Sequence, residues 1–195
     1  MQVPLVMTVI GKDRPGLVES VASLVARHGG NWLESRMCRL GGEFAGILRI
    51  HVAAEQEQAL FQALKNLQAH GLSIVVHPDH AATAPAHRRL AQLEIVGQDR
   101  PGIVRQISSA LARQGVNVEE LATECRSAPM SGETLFTAQA KLLIPDTCNV
   151  AELRKELERI AGDLVVDISV QELARKRTVP QWQLNGMTKG AGLLD

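Results

Sequence analysis

The strongest constraint on this chain is that it repeats itself. Residues Gly11–Glu34 align without a gap to Gly97–Glu120 at an offset of 86 residues. Twelve of the 24 aligned positions are identical, among them Asp13/Asp99, Arg14/Arg100, Pro15/Pro101, Gly16/Gly102, Gly29/Gly115 and Asn31/Asn117. Solenoids repeat every ~20–50 residues and need three or more units, so two copies this far apart indicate a duplicated domain. The 195 residues divide accordingly into a first domain at 1–78, a linker at 79–89, a second domain at 90–174 and a C-terminal tail at 175–195. The Pro/Ala-rich, aperiodic stretch His77–Ala86 marks the junction.

Each copy reads strand, helix, strand, strand, helix, strand. The opening apolar runs Val3–Ile10 and Leu90–Val96 predict central strands buried on both faces. Leu17, Val21 and Val25, and in the second copy Ile103, Ile107 and Leu111, recur at helical spacing. Pro15 and Pro101 fit a first helical turn, and Gly29 and Gly115 fit the position just past a helix C-terminus. Gly41-Gly42 predicts a tight hairpin, replaced in the second copy by the longer Ser127–Gly132. Phe136, Ala138, Ala140, Leu142 and Ile144 alternate along the returning strand. Second helices follow through Leu60, Leu64 and Leu67, and through Val150, Leu153, Leu157 and Ile160. Final strands alternate through Leu72, Ile74 and Val76, and through Leu164, Val166, Ile168 and Val170. The order βαββαβ predicts an α+β chain of two ferredoxin-like domains, each an antiparallel four-stranded sheet with both helices on one face. Such sheets leave an edge that invites pairing, so the expectation is one continuous sheet or two packed sheets, within the molecule or in a homodimer or other homo-oligomer.

Composition narrows the function. Lys+Arg and Asp+Glu are both 21, which gives none of the basic excess by which proteins grip nucleic acid directly. Aromatics make up 3% and Tyr is absent, which argues against base-stacking platforms. No apolar run reaches the ~18 residues of a membrane span, and the first charge, Lys12, follows the apolar start instead of preceding it as in a secretory signal. Cys38, Cys125 and Cys148 lie far apart and read as free thiols in a reducing cytoplasm. His77-x-x-His80 is the only close histidine pair and lacks the further ligands zinc needs, so neither a metal nor a cofactor is expected. The clusters His87-Arg88-Arg89 and Arg175-Lys176-Arg177 read as solvated surface.

The candidate site is the loop Gly-x-Asp-Arg-Pro-Gly at 11–16 and 97–102, between the first strand and first helix. Structure alone can account for it: Gly turns the chain, Asp caps amides and Pro starts the helix. The functional reading adds that free N–H groups at a helix start attract anions. A zwitterionic amino acid offers its carboxylate to those amides and its ammonium to the neighbouring Asp, while Gly16 and Gly102 allow close approach. Asn31 and Asn117 add either an amide arm or simple turn chemistry.

This duplicated loop, followed by Gly-x-Asn, resembles the ACT domain. Two such copies with nothing else attached resemble the glycine cleavage system transcriptional repressors. The resemblance covers residues 3–77 and 90–173. It implies a small-molecule amino acid, glycine, bound at the seam between two paired ACT domains. It also implies a non-catalytic role exerted on a DNA-binding activator rather than on DNA. Carried over by position, Gly11, Asp13, Arg14, Pro15, Gly16, Leu17 and Asn31 line one site. Gly97, Asp99, Arg100, Pro101, Gly102, Ile103 and Asn117 line the other. The copies differ at Lys12/Gln98, Gly30/Val116 and Trp32/Val118, so the two sites are not expected to be equivalent. Two other classes share the topology. An acylphosphatase-type hydrolase pairs a loop Arg with an Asn, here Arg14 with Asn31. An RNA-binding module needs aromatics on its central strands, where only Phe44 and Phe136 are available.

Overall fold

The computed structural model describes residues 1–79, 88–127 and 133–173. His80, the Ser127–Gly132 connection beyond Ser127, and the tail at 175–195 therefore fall outside the described residues. The chain divides into two compact units, Met1–Ala84 and Pro85–Asp195. In the first, β1 (Gln2–Lys12), α1 (Leu17–Arg27), β2 (Asn31–Leu40), β3 (Glu43–Ala53), α2 (Ala54–Asn66) and β4 (Leu72–Pro78) follow in order, with a 3-10 turn at Leu67–His70. The second has β5 (Arg88–Gln98), α3 (Ile103–Arg113), β6 (Asn117–Ser127), β7 (Thr134–Pro145), α4 (Val150–Leu164) and β8 (Val166–Glu172). Arg88 and Arg89, assigned above to the linker, thus already belong to a strand. The sheets run β2-β3-β1-β4 and β6-β7-β5-β8, all pairs antiparallel. This is the expected α+β arrangement.

The cores follow the predicted alternation. Leu5, Met7 and Val9 of β1 and Leu48, Ile50 and Val52 of β3 pack against Leu17, Val21 and Val25 of α1 and Leu60 and Leu64 of α2. In the second unit Phe136, Ala138, Ala140, Leu142 and Ile144 are all buried against Ile103, Ile107 and Leu111 of α3 and Leu153, Leu157 and Ile160 of α4. Each fully buried aliphatic side chain contributes roughly 1.5–3 kcal/mol.

Three local expectations change. The opening strands are central but not buried on both faces: Ile10 is 52% exposed and Val96 42%. The helices cover one side of each sheet, so alternate residues of the apolar run lie on the open side. Pro15 and Pro101 stand before the helices, which start at Leu17 and Ile103. Gly16 (φ 88, ψ 3) and Gly102 (φ 97, ψ −1) intervene as N-caps in the left-handed region. A Pro followed by a positive-φ Gly is the pattern of a type II turn, and that turn swings the chain from sheet to helix. Leu164 ends α4 instead of opening β8, because it sits four residues after Ile160 and is buried with it. Val165 follows in the left-handed region (φ 57), where the first unit has Gly71 (φ 78). The Gly41-Gly42 hairpin (φ 60 and 82) and the positive φ of Gly29 and Gly115 are as expected.

Candidate functional site

The two loops are built alike. Gly11 pairs with Phe44 on β3 and Leu72 on β4, and Gly97 with Phe136 and Val166. A Cβ on Gly11 would meet the Gly71 carbonyl oxygen at 2.5 Å, and one on Gly97 the Val166 Cα at 2.7 Å. These glycines are therefore required by strand packing. Beyond them the Asp13 amide donates to the Gly42 carbonyl and the Asp99 amide to the Thr134 carbonyl, both at 2.9 Å. Each loop is thus pinned to the tip of the neighbouring hairpin. The amides of Ser20 and Gln106 then close the first helical turns on the carbonyls of Gly16 and Gly102. Neither helix start carries a side-chain cap. The Asp therefore does not cap the helix, contrary to the purely structural account of the loop. The amides of the first turn keep the anion-attracting character of an uncapped N-terminus. By contrast, Asn149 caps α4, its Oδ1 accepting from the Glu152 amide at 3.3 Å.

Of the residues carried over to the sites, Asp13, Arg14, Pro15 and Gly16 are exposed together on the first loop. Asp99, Arg100 and Pro101 are exposed on the second, with Gly102 half-buried. Leu17 and Ile103 are core residues, 4% and 2% exposed. Asn31 and Asn117 lie at the far end of each sheet. Asn31 pairs with His51 and His51 with Pro4, seven residues from Gly11 along β1. Asn117 pairs with Leu143 and Leu143 with Leu90, seven residues from Gly97. At ~3.4 Å per residue the separation is about 24 Å. The first and second strands of each unit run parallel, so the residue opening the second lies opposite the loop closing the first. Arg14 and Asn31 therefore do not meet in one active site of a unit, which removes the basis for the hydrolase reading. Phe44 and Phe136 share the helix-covered face with Leu48 and Ala140, so neither is placed to stack a base on the open face.

One participant was absent from the sequence reading. Arg39 near the end of β2 places its Nε 2.5 Å from Oδ2 of Asp13. At the same register in the second unit, opposite Phe136, stands Cys125, and Asp99 has no ion pair among the described residues. The helix starts differ as well. The first turn of α1 holds Glu19, whereas that of α3 has no acidic residue and includes Arg105. Arg100 donates to the Gln98 side chain at 3.1 Å. The second loop thus pairs an uncompensated carboxylate with the more electropositive helix end.

Three concavities lie away from these loops. One of about 830 Å³ runs between α1 and α2, with Glu19, Ser23, Arg27 and Asn66 on its walls. One of about 370 Å³ lies on the open face of the second sheet. There Arg126 hydrogen-bonds Glu124 and holds its carboxyl below the usual range. A third of about 110 Å³ lies between α4 and β8.

Residues 3–77 match the ACT domain family, and residues 86–167 match it again. This chain belongs to the ACT-domain family. It carries two ACT domains in tandem, and known proteins are similar to it over most of its length. A protein of unknown function from Galdieria sulphuraria is 30% identical with a TM-score of 0.77, over 89% of this chain and 100% of that one. The glycine cleavage system transcriptional repressor of Escherichia coli is 22% identical over 161 residues, 82% of this chain and 85% of the repressor. A solved structure provisionally described as such a repressor is 20% identical, with a TM-score of 0.65 over 90% of this chain and 99% of that one, and supports the fold of the tandem ACT protein. Among its described residues no helix is long and apolar enough to cross a membrane.

Proposed function

We propose that this tandem ACT protein is a non-catalytic amino-acid sensor that regulates transcription through a protein partner, with glycine as its effector. The observation that carries the reading is the uncapped start of α3 beside Asp99, which makes no ion pair among the described residues. Together they offer amide donors for a carboxylate and a carboxylate for an ammonium, the two ends of a free amino acid. Similarity to the glycine cleavage system transcriptional repressor of Escherichia coli supports glycine and a role in transcriptional regulation. The neutral charge balance supports action on a protein rather than on DNA.

The size of the ligand sets the expected strength. Glycine has five heavy atoms, and ~1.5 kcal/mol per atom limits binding to about 7.5 kcal/mol, a dissociation constant of a few micromolar at best. Regulation follows when the ligand prefers one arrangement of ACT units and thereby shifts partner-bound against free protein. A catalytic reading gains no support from Cys148. Burial pushes its thiol up from the ordinary 9.0, the reverse of what a nucleophile needs. The test is a thermal-shift screen of the twenty amino acids. At ~100 times its dissociation constant the effector stabilises the protein by about 2.7 kcal/mol. A melting temperature unmoved by all twenty contradicts the reading.

A further inference from the structure

The duplication places the same two side chains on the first helix of each unit, Ser23 and Arg27 on α1 and Ser109 and Arg113 on α3. The two units use them differently. In the second unit the Arg113 guanidinium spans the gap between the helices. It donates to the Ser109 Oγ at 2.7 Å and to the Glu156 carboxylate on α4. In the first unit Arg27 turns back on its own helix, its Nε donating to the Ser23 carbonyl at 3.4 Å. It makes no ion pair among the described residues. One substitution accounts for this. Leu60 and Leu64 of α2 match Leu153 and Leu157 of α4 as buried residues four apart. Glu156 precedes Leu157, whereas Ala63 precedes Leu64. The bridge of the second unit thus has no acceptor in the first, where a groove of about 830 Å³ separates α1 from α2.

The groove has a defined chemistry. Its floor is apolar: Leu24 is buried, and Ala63 and Leu67 pack against the core while partly exposed. Its two ends carry opposite charges. Arg27 stands in the last turn of α1 and Glu19 in the first, and the rise from residue 19 to residue 27 is about 12 Å. Glu19 accepts from the Ser23 Oγ at 2.6 Å, which ties its carboxylate to the groove wall. In the second unit Arg105 takes the place of Glu19, so the opposed ends belong to the first unit alone.

We infer that this groove docks a helix of the protein partner through which the proposed regulation acts. The helix sets a carboxylate against Arg27, a cation against Glu19, and aliphatic side chains between them on the floor. Its carboxylate takes the role that Glu156 fills within the second unit. A free carboxylic acid does not suffice, because an ion pair on a solvated arginine gains little. A helix that covers the groove also removes water from the floor and from the pair. The inference deepens the partner-mediated part of the proposed function and rests on it. No residue of the Gly-x-Asp-Arg-Pro-Gly loop lines the groove, so the amino-acid response is tested separately.

The test is selection from a displayed library of random peptides on the immobilised full chain, each peptide about sixteen residues long to cover the groove as a helix. The expected peptides carry an acidic and a basic residue about two helical turns apart, with aliphatic residues between them. They bind Arg27→Ala at least about tenfold more weakly than the wild type. Ala63→Glu, which supplies the missing acceptor from within the chain, weakens them likewise, and Arg113→Ala leaves them unchanged. Circular dichroism confirms that each variant is folded. Peptides that bind Arg27→Ala and Ala63→Glu as tightly as the wild type overturn the proposal, and so does a selection that yields no acidic peptide. Peptides that meet the conditions support the groove even where no amino acid shifts the melting temperature, an outcome that contradicts only the sensor reading.

Discussion

Asp13 and Arg39 form an ion pair 2.5 Å long that ties the first loop to the neighbouring hairpin, whereas Cys125 takes the arginine's register in the second unit and Asp99 makes no ion pair among the described residues. This difference predicts unequal loops. A ligand ammonium must compete with Arg39 for Asp13 but not for Asp99. Asp99→Ala is expected to lower glycine affinity about 10–100-fold, the range for a hydrogen bond to a charged group. Asp13→Ala is expected to change it less than threefold. Isothermal titration of the two variants checks this, and equal losses would show the loops to be equivalent. Arg39→Ala is expected to cost only about 0.2–1 kcal/mol of stability, since the arginine side chain is 69% exposed.

Val165 predicts a stabilising substitution. It is a β-branched residue held at φ 57, a conformation that costs L-residues roughly 1–2 kcal/mol. It is 60% exposed, so truncation loses little packing. Val165→Gly is expected to raise the stability of the second unit by about 1 kcal/mol. The reverse change, Gly71→Val, should lower that of the first unit by a similar amount. Urea unfolding followed by circular dichroism measures both.

The duplication, the strand and helix order and the loop were all legible because they depend on short spacings. β7 is the clearest case, with every second residue from Phe136 to Ile144 buried as read. What was missed depends on register between distant segments. Arg39 reaches Asp13 only because the β2–β3 ladder brings residues 26 apart to the same end of the sheet. Asn31 leaves the loop because β1 and β2 run parallel. Ile10 and Val6 looked like two-sided core because an apolar run carries no mark of which face the helices cover. Leu164 looked like strand because its alternation with Val166 fits as well as its helical spacing from Ile160.

The cysteines give a chemical check. Cys38 and Cys125 are exposed and Cys148 is buried, with desolvation raising its thiol above the ordinary 9.0. Native protein is expected to react rapidly with a thiol reagent at two sites, and at the third only on unfolding. The linkage has a definite sign. Above the ordinary thiol range the unfolded chain releases the Cys148 proton before the folded one does, so this group lowers stability as pH rises. Cys148→Ala is expected to flatten that part of the stability profile between about pH 8 and 10. An unchanged profile would show that Cys148 is not the group responsible.

Calorimetric titration of glycine and the other nineteen amino acids into the full chain bears most directly on the account. Saturable heat with glycine, at a dissociation constant of a few micromolar or weaker and abolished or strongly weakened in Asp99→Ala, is the predicted result. No saturable heat from any of the twenty, or glycine binding that Asp99→Ala leaves intact, would contradict it.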